Sequence, residues 1–408
     1  MPVGGVESHT VQPSRYFDHA ATTPVKPTAI RVLTEQMPQL ANPSSLHGAG
    51  RRARLAVDSA RAQLAAAAGA HPSEVIFTSG GTEADNLALK GLWWQRRSED
   101  SRRHRILLPG IEHHAVLDTA EWLESHEGAQ LDIIEVDGDG VLNLESLKRL
   151  LSRQPETIAL VTAMWANNET GAIQPVPEIA RLCAEAGVPF HTDAVQAFGS
   201  VPVSFSESGA STMAISGHKI GAPVGVGALL VRRDVKLTPV LHGGGQERDI
   251  RSGTLDAAGI CAFAAVAEET VGALEAESAR LAGLRDELLE AVAGLEGVTL
   301  RGPDPRVVPE KRLPNNLHIT VDGAEGDSVL FMLDMAGFDT ATGSACTAGV
   351  PRASHVLLAM GLSEAEARGA QRFSLGWTTT AEDVQALAGS LPSVIQQARA
   401  AGMAADRR

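Results

Sequence analysis

Apolar positions along this chain come in two patterns that alternate through its first 235 or so residues. Short, nearly unbroken apolar runs at 74–78, 105–108, 131–136, 157–164 and 188–193 predict strands. Between them, 47–68, 83–97, 144–151 and 176–186 place apolar and polar residues at helical spacing. An earlier helix ends near residue 40, with Asn42-Pro43-Ser44-Ser45 as its break and the next helix's cap region. This alternation predicts an α/β layer fold with a mainly parallel sheet, whose ligand groups gather at strand ends. Further on, 257–293 reads as one long Ala- and Glu-rich helix. A strand at 317–321 and helices at 327–335, 354–359 and 382–400 then make a smaller α+β unit. The division expected is a large unit 15–262 and a small unit 263–408, with residues 1–14 as a loose arm.

Several polar residues interrupt this pattern where strands should end. Lys219 follows Ser216-Gly217-His218 in a tight turn between two apolar runs. A lysine there is either a surface residue of a Gly-rich hairpin or an amine put to use, since an enclosed amine loses its proton readily and can form a Schiff base. Asp193 closes the strand before it. A lysine to hold an aldehyde cofactor and an acid to keep a ring nitrogen protonated are what pyridoxal phosphate requires. Ser79-Gly80-Gly81-Thr82 lies between a strand and a helix N-terminus, which suits either a phosphate or a plain capping turn. His113 and His114 lack metal-ligand spacing, and an imidazole stacked on a flat cofactor is the better use. Asn167-Asn168 reads as a turn or a site. Cys346 sits among small residues, Gly343-Ser344-Ala345 before it and Thr347-Ala348-Gly349 after, where a thiolate could act as nucleophile.

Bulk composition narrows the class. A formal charge of −14 argues against a general nucleic-acid surface, and the arginine cluster at 96–105 reads as a solvated loop. No apolar run suits a membrane span, and the N-terminus lacks the pattern of a signal peptide. Three well-separated cysteines predict neither a disulfide framework nor a zinc site, and fit a reducing cytoplasm.

Taken together, the chain resembles the pyridoxal-phosphate-dependent cysteine desulfurases of the NifS/IscS type, class V aminotransferases of fold type I. The resemblance rests on Asp18-His19-Ala20-Ala21-Thr22-Thr23-Pro24, Thr78-Ser79-Gly80-Gly81-Thr82-Glu83, Glu112-His113, Asn167-Asn168-Glu169, Asp193-Ala194-Val195-Gln196, Ser216-Gly217-His218-Lys219, Arg251-Ser252-Gly253-Thr254, Gly343-Ser344-Ala345-Cys346 and Arg372-Phe373-Ser374-Leu375-Gly376. It implies a large α/β domain with a mainly parallel sheet and a smaller C-terminal domain carrying the cysteine loop. Lys219 would hold the cofactor and shuttle protons, Asp193 would pair with the pyridine nitrogen, and His113 would stack on the ring. Gln196 would bond the ring hydroxyl. Gly81, Thr82, Ser216 and His218 would bind phosphate, with Thr254 reaching in from the other subunit of a homodimer. Arg372 and Asn167 would grip the carboxylate of L-cysteine. Cys346 would take the sulfur as a persulfide, releasing alanine, with His113 or the substrate amine accepting its proton. A partner protein, an iron–sulfur scaffold or tRNA-thiolation enzyme, would receive that sulfur in the cytoplasm. The alternative within the same fold is a selenocysteine lyase or another class V enzyme. No metal and no direct nucleic-acid contact is expected.

Overall fold

The computed structural model describes residues 14–39, 41–343 and 353–405. Its first strand, β1 (Arg15–Tyr16), pairs in parallel with β11 (Phe338–Asp339), which ties this segment to the C-terminal part. The main sheet has seven strands: β2 (Val75–Thr78), β3 (Arg105–Pro109), β4 (Gln130–Ile134), β5 (Ile158–Thr162), β6 (Phe190–Asp193), β7 (Thr212–Ser216) and β8 (Gly227–Val231). Their spatial order is β2-β8-β7-β6-β5-β3-β4. Strands β4, β3, β5, β6 and β7 run parallel, and β8 lies antiparallel between β7 and β2. The mainly parallel sheet expected from the alternation is therefore present.

Both faces of this sheet are covered, which is why its strands read as continuous apolar runs. Val75 and Phe77 join a core with helices Gly48–Ala67, Val176–Glu185 and Ala257–Gly272, while Ile76 between them faces a second core. That second core is built with helices Gly81–Glu99 and His114–Glu127. The same alternation runs along β3, with Leu107 on one face and Ile106 and Leu108 on the other.

A third core belongs to the C-terminal part. Strands β9 (Val298–Leu300), β10 (Asn316–Val321) and β12 (Ala370–Ser374) form an antiparallel sheet in the order β12-β10-β9. Leu288, Leu333 and Leu387, from three different helices, pack with Leu317, Phe373 and Phe17 there.

Two local expectations need correction. The predicted long helix at 257–293 is two helices, Ala257–Gly272 and Leu274–Ala293, bent by 71°. Its first half buries Phe263 and Val266 under the large sheet, and its second buries Leu284 and Leu288 in the C-terminal core. One straight helix could not serve both cores, and helical periodicity alone does not say which core a face meets. The helix after residue 47 is capped by His47, whose Nδ1 accepts from Gly50 N–H, and not by the serines before it. No single helix among the described residues is long and apolar enough to cross a membrane.

Candidate active site

The C-terminal ends of β2, β3, β5, β6 and β7 converge on a cavity of about 230 Å³. Gly81, Thr82, His113, Asp193, Gln196, Ser216, His218 and Lys219 all line it. Eight of the predicted groups, scattered over 81–219, are thus brought together because parallel strands deliver their loops to one edge.

Lys219 ends the single turn Gly217–Lys219 that joins β7 to β8. Its Nζ donates to the carbonyls of Ala20 at 2.6 Å and Ala21 at 2.7 Å. The N-terminal turn thereby orients the amine. Burial, with the Arg372 charge second, lowers the Lys219 pKa to about 8, opposed by Asp193 and Asp18. An amine of this kind is neutral far more often than an exposed lysine.

Asp193 sits 6% exposed at the end of β6, accepting from Val195 N–H at 2.8 Å. Burial raises its pKa to about 6, against the lowering effects of that hydrogen bond and of Lys219. Two further buried carboxyls lie close enough to feel its charge. Asp85, fully enclosed, faces His191 Nε2 at 3.2 Å and lines the same cavity. Glu112 accepts from Met164 N–H at 2.7 Å, and burial lifts its pKa to about 8. Three buried carboxyls so close together cannot readily all be charged. Burial pushes Asp85 well above the usual carboxylate range, with Asp193 and Glu112 adding to the effect. Asp193 carries a charge most readily, because the Val195 N–H and the Lys219 amine both act to lower its pKa. Sequence reading missed Asp85 and named Glu112 only within a motif, without a role; the visible signal for Asp85 was its position one helical turn after Gly81, on the side facing the sheet.

His113 caps helix His114–Glu127, its Nδ1 accepting from Ala115 N–H at 3.1 Å. That bond assigns the ring proton to Nε2. Protein packed around the ring, with Lys219 second, lowers its pKa to about 4. His113 is a neutral ring with a face and an N–H to offer. The expectation that it accepts a proton is not met in this geometry, because its lone pair is engaged in the cap.

On the opposite wall, helix Gly81–Glu99 starts from Gly80 without a side-chain cap, leaving its first N–H groups free for an anion. A Cβ at Gly81 would stand 2.7 Å from Val195 Cγ2, so glycine lets the helix start close to the Asp193 loop. Ser216 Oγ is buried and has no hydrogen-bond partner among the described residues. A buried hydroxyl without an acceptor is costly, and a phosphate oxygen would satisfy it. His218 Nδ1 lies 3.2 Å from Thr22 Oγ1, and Gln196 Nε2 donates to Ala20 O at 2.9 Å. Uncapped amides, an orphan hydroxyl, an enclosed amine and a buried carboxylate are the donor set that pyridoxal phosphate calls for. The residues fit it.

Arg372 lies on β12, 5% exposed. Its Nη2 pairs with Asp18 Oδ1 at 2.7 Å and its Nη1 donates to Asn168 O at 3.0 Å, while Nε has no partner among the described residues. Asp18 was visible in the sequence but not as this counter-ion. Asn167 is a correction. It is fully buried, its Oδ1 accepts from Glu169 N–H and Thr170 N–H at 2.9 Å each, and its amide donates to Ile111 O at 3.0 Å. Its polar atoms hold the turn, and it is the neighbouring Asn168 that lines the cavity. Thr254 is exposed and lies outside its own chain's cavity. Cys346 lies outside the described residues. Of the other cysteines, Cys183 is buried with its pKa pushed up to about 12, and burial also raises that of the half-buried Cys261.

Comparison with known proteins agrees with this arrangement. The family described as Aminotransferase class-V matches residues 15–387. The chain is 49% identical over 391 residues to an IscS-like cysteine desulfurase of Mycobacterium tuberculosis, covering 96% of this chain and 98% of that one. It is 40% identical to the cysteine desulfurase IscS of Clostridium botulinum, covering 94% and 95%. Among solved structures, a NifS-like protein superposes with a TM-score of 0.85 at 33% identity, over 94% of this chain and 99% of that one. SspA in complex with cysteine does so with a TM-score of 0.76 at 32% identity, over 89% and 99%.

Proposed function

This chain belongs to the class-V aminotransferase family and is a pyridoxal-phosphate-dependent cysteine desulfurase of the IscS/NifS-like kind, and we propose here which residues carry its reaction. The observation that carries the proposal is the placement of Lys219 and Asp193 on one cavity, with the amine pKa lowered to about 8. Pyridoxal phosphate, when bound, supplies a carbonyl carbon for amines and a ring that accepts electrons from the substrate's α-carbon.

Lys219 holds the cofactor and then carries protons at Nζ. Asp193 would pair with the ring nitrogen and keep it protonated, with the Asp85 and Glu112 carboxyls pushed towards their neutral forms by burial nearby. His113 offers a flat face and Gln196 an amide to the ring. The first turn of helix Gly81–Glu99, Thr82, Ser216 and His218 receive the phosphate. Arg372 turns its guanidinium to the carboxylate of L-cysteine, for which its planar fork is suited, releasing Asp18 in exchange. Cys346, as thiolate, attacks the substrate sulfur. An S–S bond forms and the Cβ–S bond breaks; its electron pair stays with the substrate, which takes up protons and leaves as alanine. The sulfur remains on Cys346 as a persulfide.

We infer a homodimer in which Thr254, exposed and outside its own chain's cavity, reaches the neighbouring one. Exposed Leu46, Leu55 and Leu241 lie around helix Gly48–Ala67 and the 241–254 loop, which the Arg61–Glu247 pair at 2.6 Å ties together. We place the enzyme in the cytoplasm, with an iron–sulfur scaffold or tRNA-thiolation enzyme receiving the persulfide sulfur. Transfer of labelled sulfur from cysteine to each purified acceptor would distinguish them.

The deciding experiment is Cys346→Ser. Alanine release should fall at least ~10³-fold with the cofactor absorbance intact. The same change at Cys183 or Cys261 should leave turnover nearly whole, because both are held as thiols away from the cavity. Near-normal alanine release from Cys346→Ser would mean that sulfur leaves by simple elimination.

A further inference from the structure

The chain just before and just after residues 344–352 meets at one buried carboxyl that the cofactor does not require. Glu169 is 2% exposed, and its Oε2 accepts from Ser354 Oγ at 2.5 Å. Ser354 Oγ in turn accepts from Leu357 N–H at 3.2 Å and so caps helix His355–Ala359. Next to it, His355 Nε2 donates to the carbonyl of Glu112 at 2.9 Å, the residue before His113. From the other side comes Gly343, in the left-handed region at φ 101°. A Cβ there would lie 3.1 Å from Glu169 Oε2 and 3.3 Å from His318 Nε2. Two residues earlier, Ala341 pairs through both backbone bonds with Arg372.

A carboxyl is an expensive group to bury, and the hydrogen-bond partner that holds this one, Ser354, does not line the cofactor cavity. Burial raises the Glu169 pKa, while the Ser354 hydrogen bond acts most strongly against that rise, followed by His355 and Arg372. The geometry is that of an anchor: Ser354 is bonded to the turn at Asn168–Glu169, far from it in sequence, and Gly343 packs so close to the same carboxyl that a side chain there would crowd it. That turn also supplies the carbonyl accepting from Arg372.

We propose that Glu169 and Ser354 are positioning residues for sulfur transfer, fixing the two points between which the segment bearing Cys346 begins and ends. This rests on Cys346 being the sulfur acceptor. Covalent geometry lets the backbone three residues past a fixed Cα reach at most about 11 Å. Where Gly343 is held therefore limits where that thiol can meet a substrate gripped by Arg372. A displacement of about 1 Å can cost roughly 10²-fold in rate.

The test uses the intact enzyme with Ser354→Ala, Glu169→Gln and Ser354→Thr. Cofactor affinity and absorbance should be unchanged in all three. Cysteine binding, read from the spectral change in a Cys346→Ser background, should stay within about twofold of the parent. The single-turnover rate of alanine release should fall roughly 10–100-fold for Ser354→Ala, and by less for Glu169→Gln, whose amide oxygen can still accept from Ser354. Ser354→Thr, which keeps the hydroxyl, should recover most of it. Unchanged alanine release in Ser354→Ala, with Cys346→Ser inactive, overturns the proposal. So does a parallel loss of cofactor affinity, which would make the pair part of the cofactor bed. If Glu169→Gln does not fold, Ser354→Ala decides alone. Turnover surviving in Cys346→Ser would instead overturn the reading on which the proposal rests.

Discussion

The bed around Lys219 and the anchor around Glu169 hold their surroundings by different means. The bed is assembled from the ends of neighbouring parallel strands, so its groups are placed mainly by backbone: β6 presents Asp193, β7 presents Ser216, and the following turn presents Lys219. The anchor is a side-chain contact between parts of the chain 185 positions apart. A sheet of shared hydrogen bonds moves little when one side chain is changed. A single Ser–Glu bond can be removed by one substitution. The cofactor site should therefore tolerate mutation around the anchor, whereas sulfur transfer should not.

The largest effect that would sharpen this contrast is Lys219→Ala. It should abolish covalent attachment of the cofactor and lower alanine formation at least ~10³-fold. Borohydride reduction of the wild-type enzyme followed by peptide mapping should mark Lys219. A mark on another lysine would break the assignment of the bed.

A smaller effect tests whether the bed is complete within one chain. Thr254→Ala and Lys219→Ala chains, mixed under exchange with cofactor limiting, should regain covalent cofactor in about a quarter of the sites. Each heterodimer then holds one intact and one doubly damaged site. No recovery on mixing would mean that Thr254 serves its own chain.

The smallest effect concerns the amine itself. Only the neutral amine attacks a carbonyl, and the Lys219 pKa is lowered to about 8, by burial first and by the Arg372 charge second. Because the pKa is lowered, the neutral form gains with rising pH through that value and is saturated above it. Capture of pyridoxal phosphate by the apoprotein, followed by absorbance, should speed up roughly tenfold from one unit below that pKa to one unit above. It should then level off. A rate still rising near pH ~10 would mean that Lys219 behaves as an exposed lysine.

By itself, the sequence determined the layered α/β plan, because strands buried on both faces must read as unbroken apolar runs and covering helices must keep their own period. It also singled out Lys219, Asp193 and Cys346 as candidates, and the family resemblance implied their roles. Tertiary structure decided what depends on distance. It brought Asp85 and Glu112 within reach of Asp193's charge, gave Arg372 its counter-ion in Asp18, and bent the 257–293 helix between two cores. It also turned Asn167 inward to hold its turn and left Asn168 at the cavity, a choice that two adjacent and identical residues could not announce. Periodicity and residue chemistry are local properties of a chain. Burial, charge coupling and contacts across hundreds of residues come into being only when the chain folds.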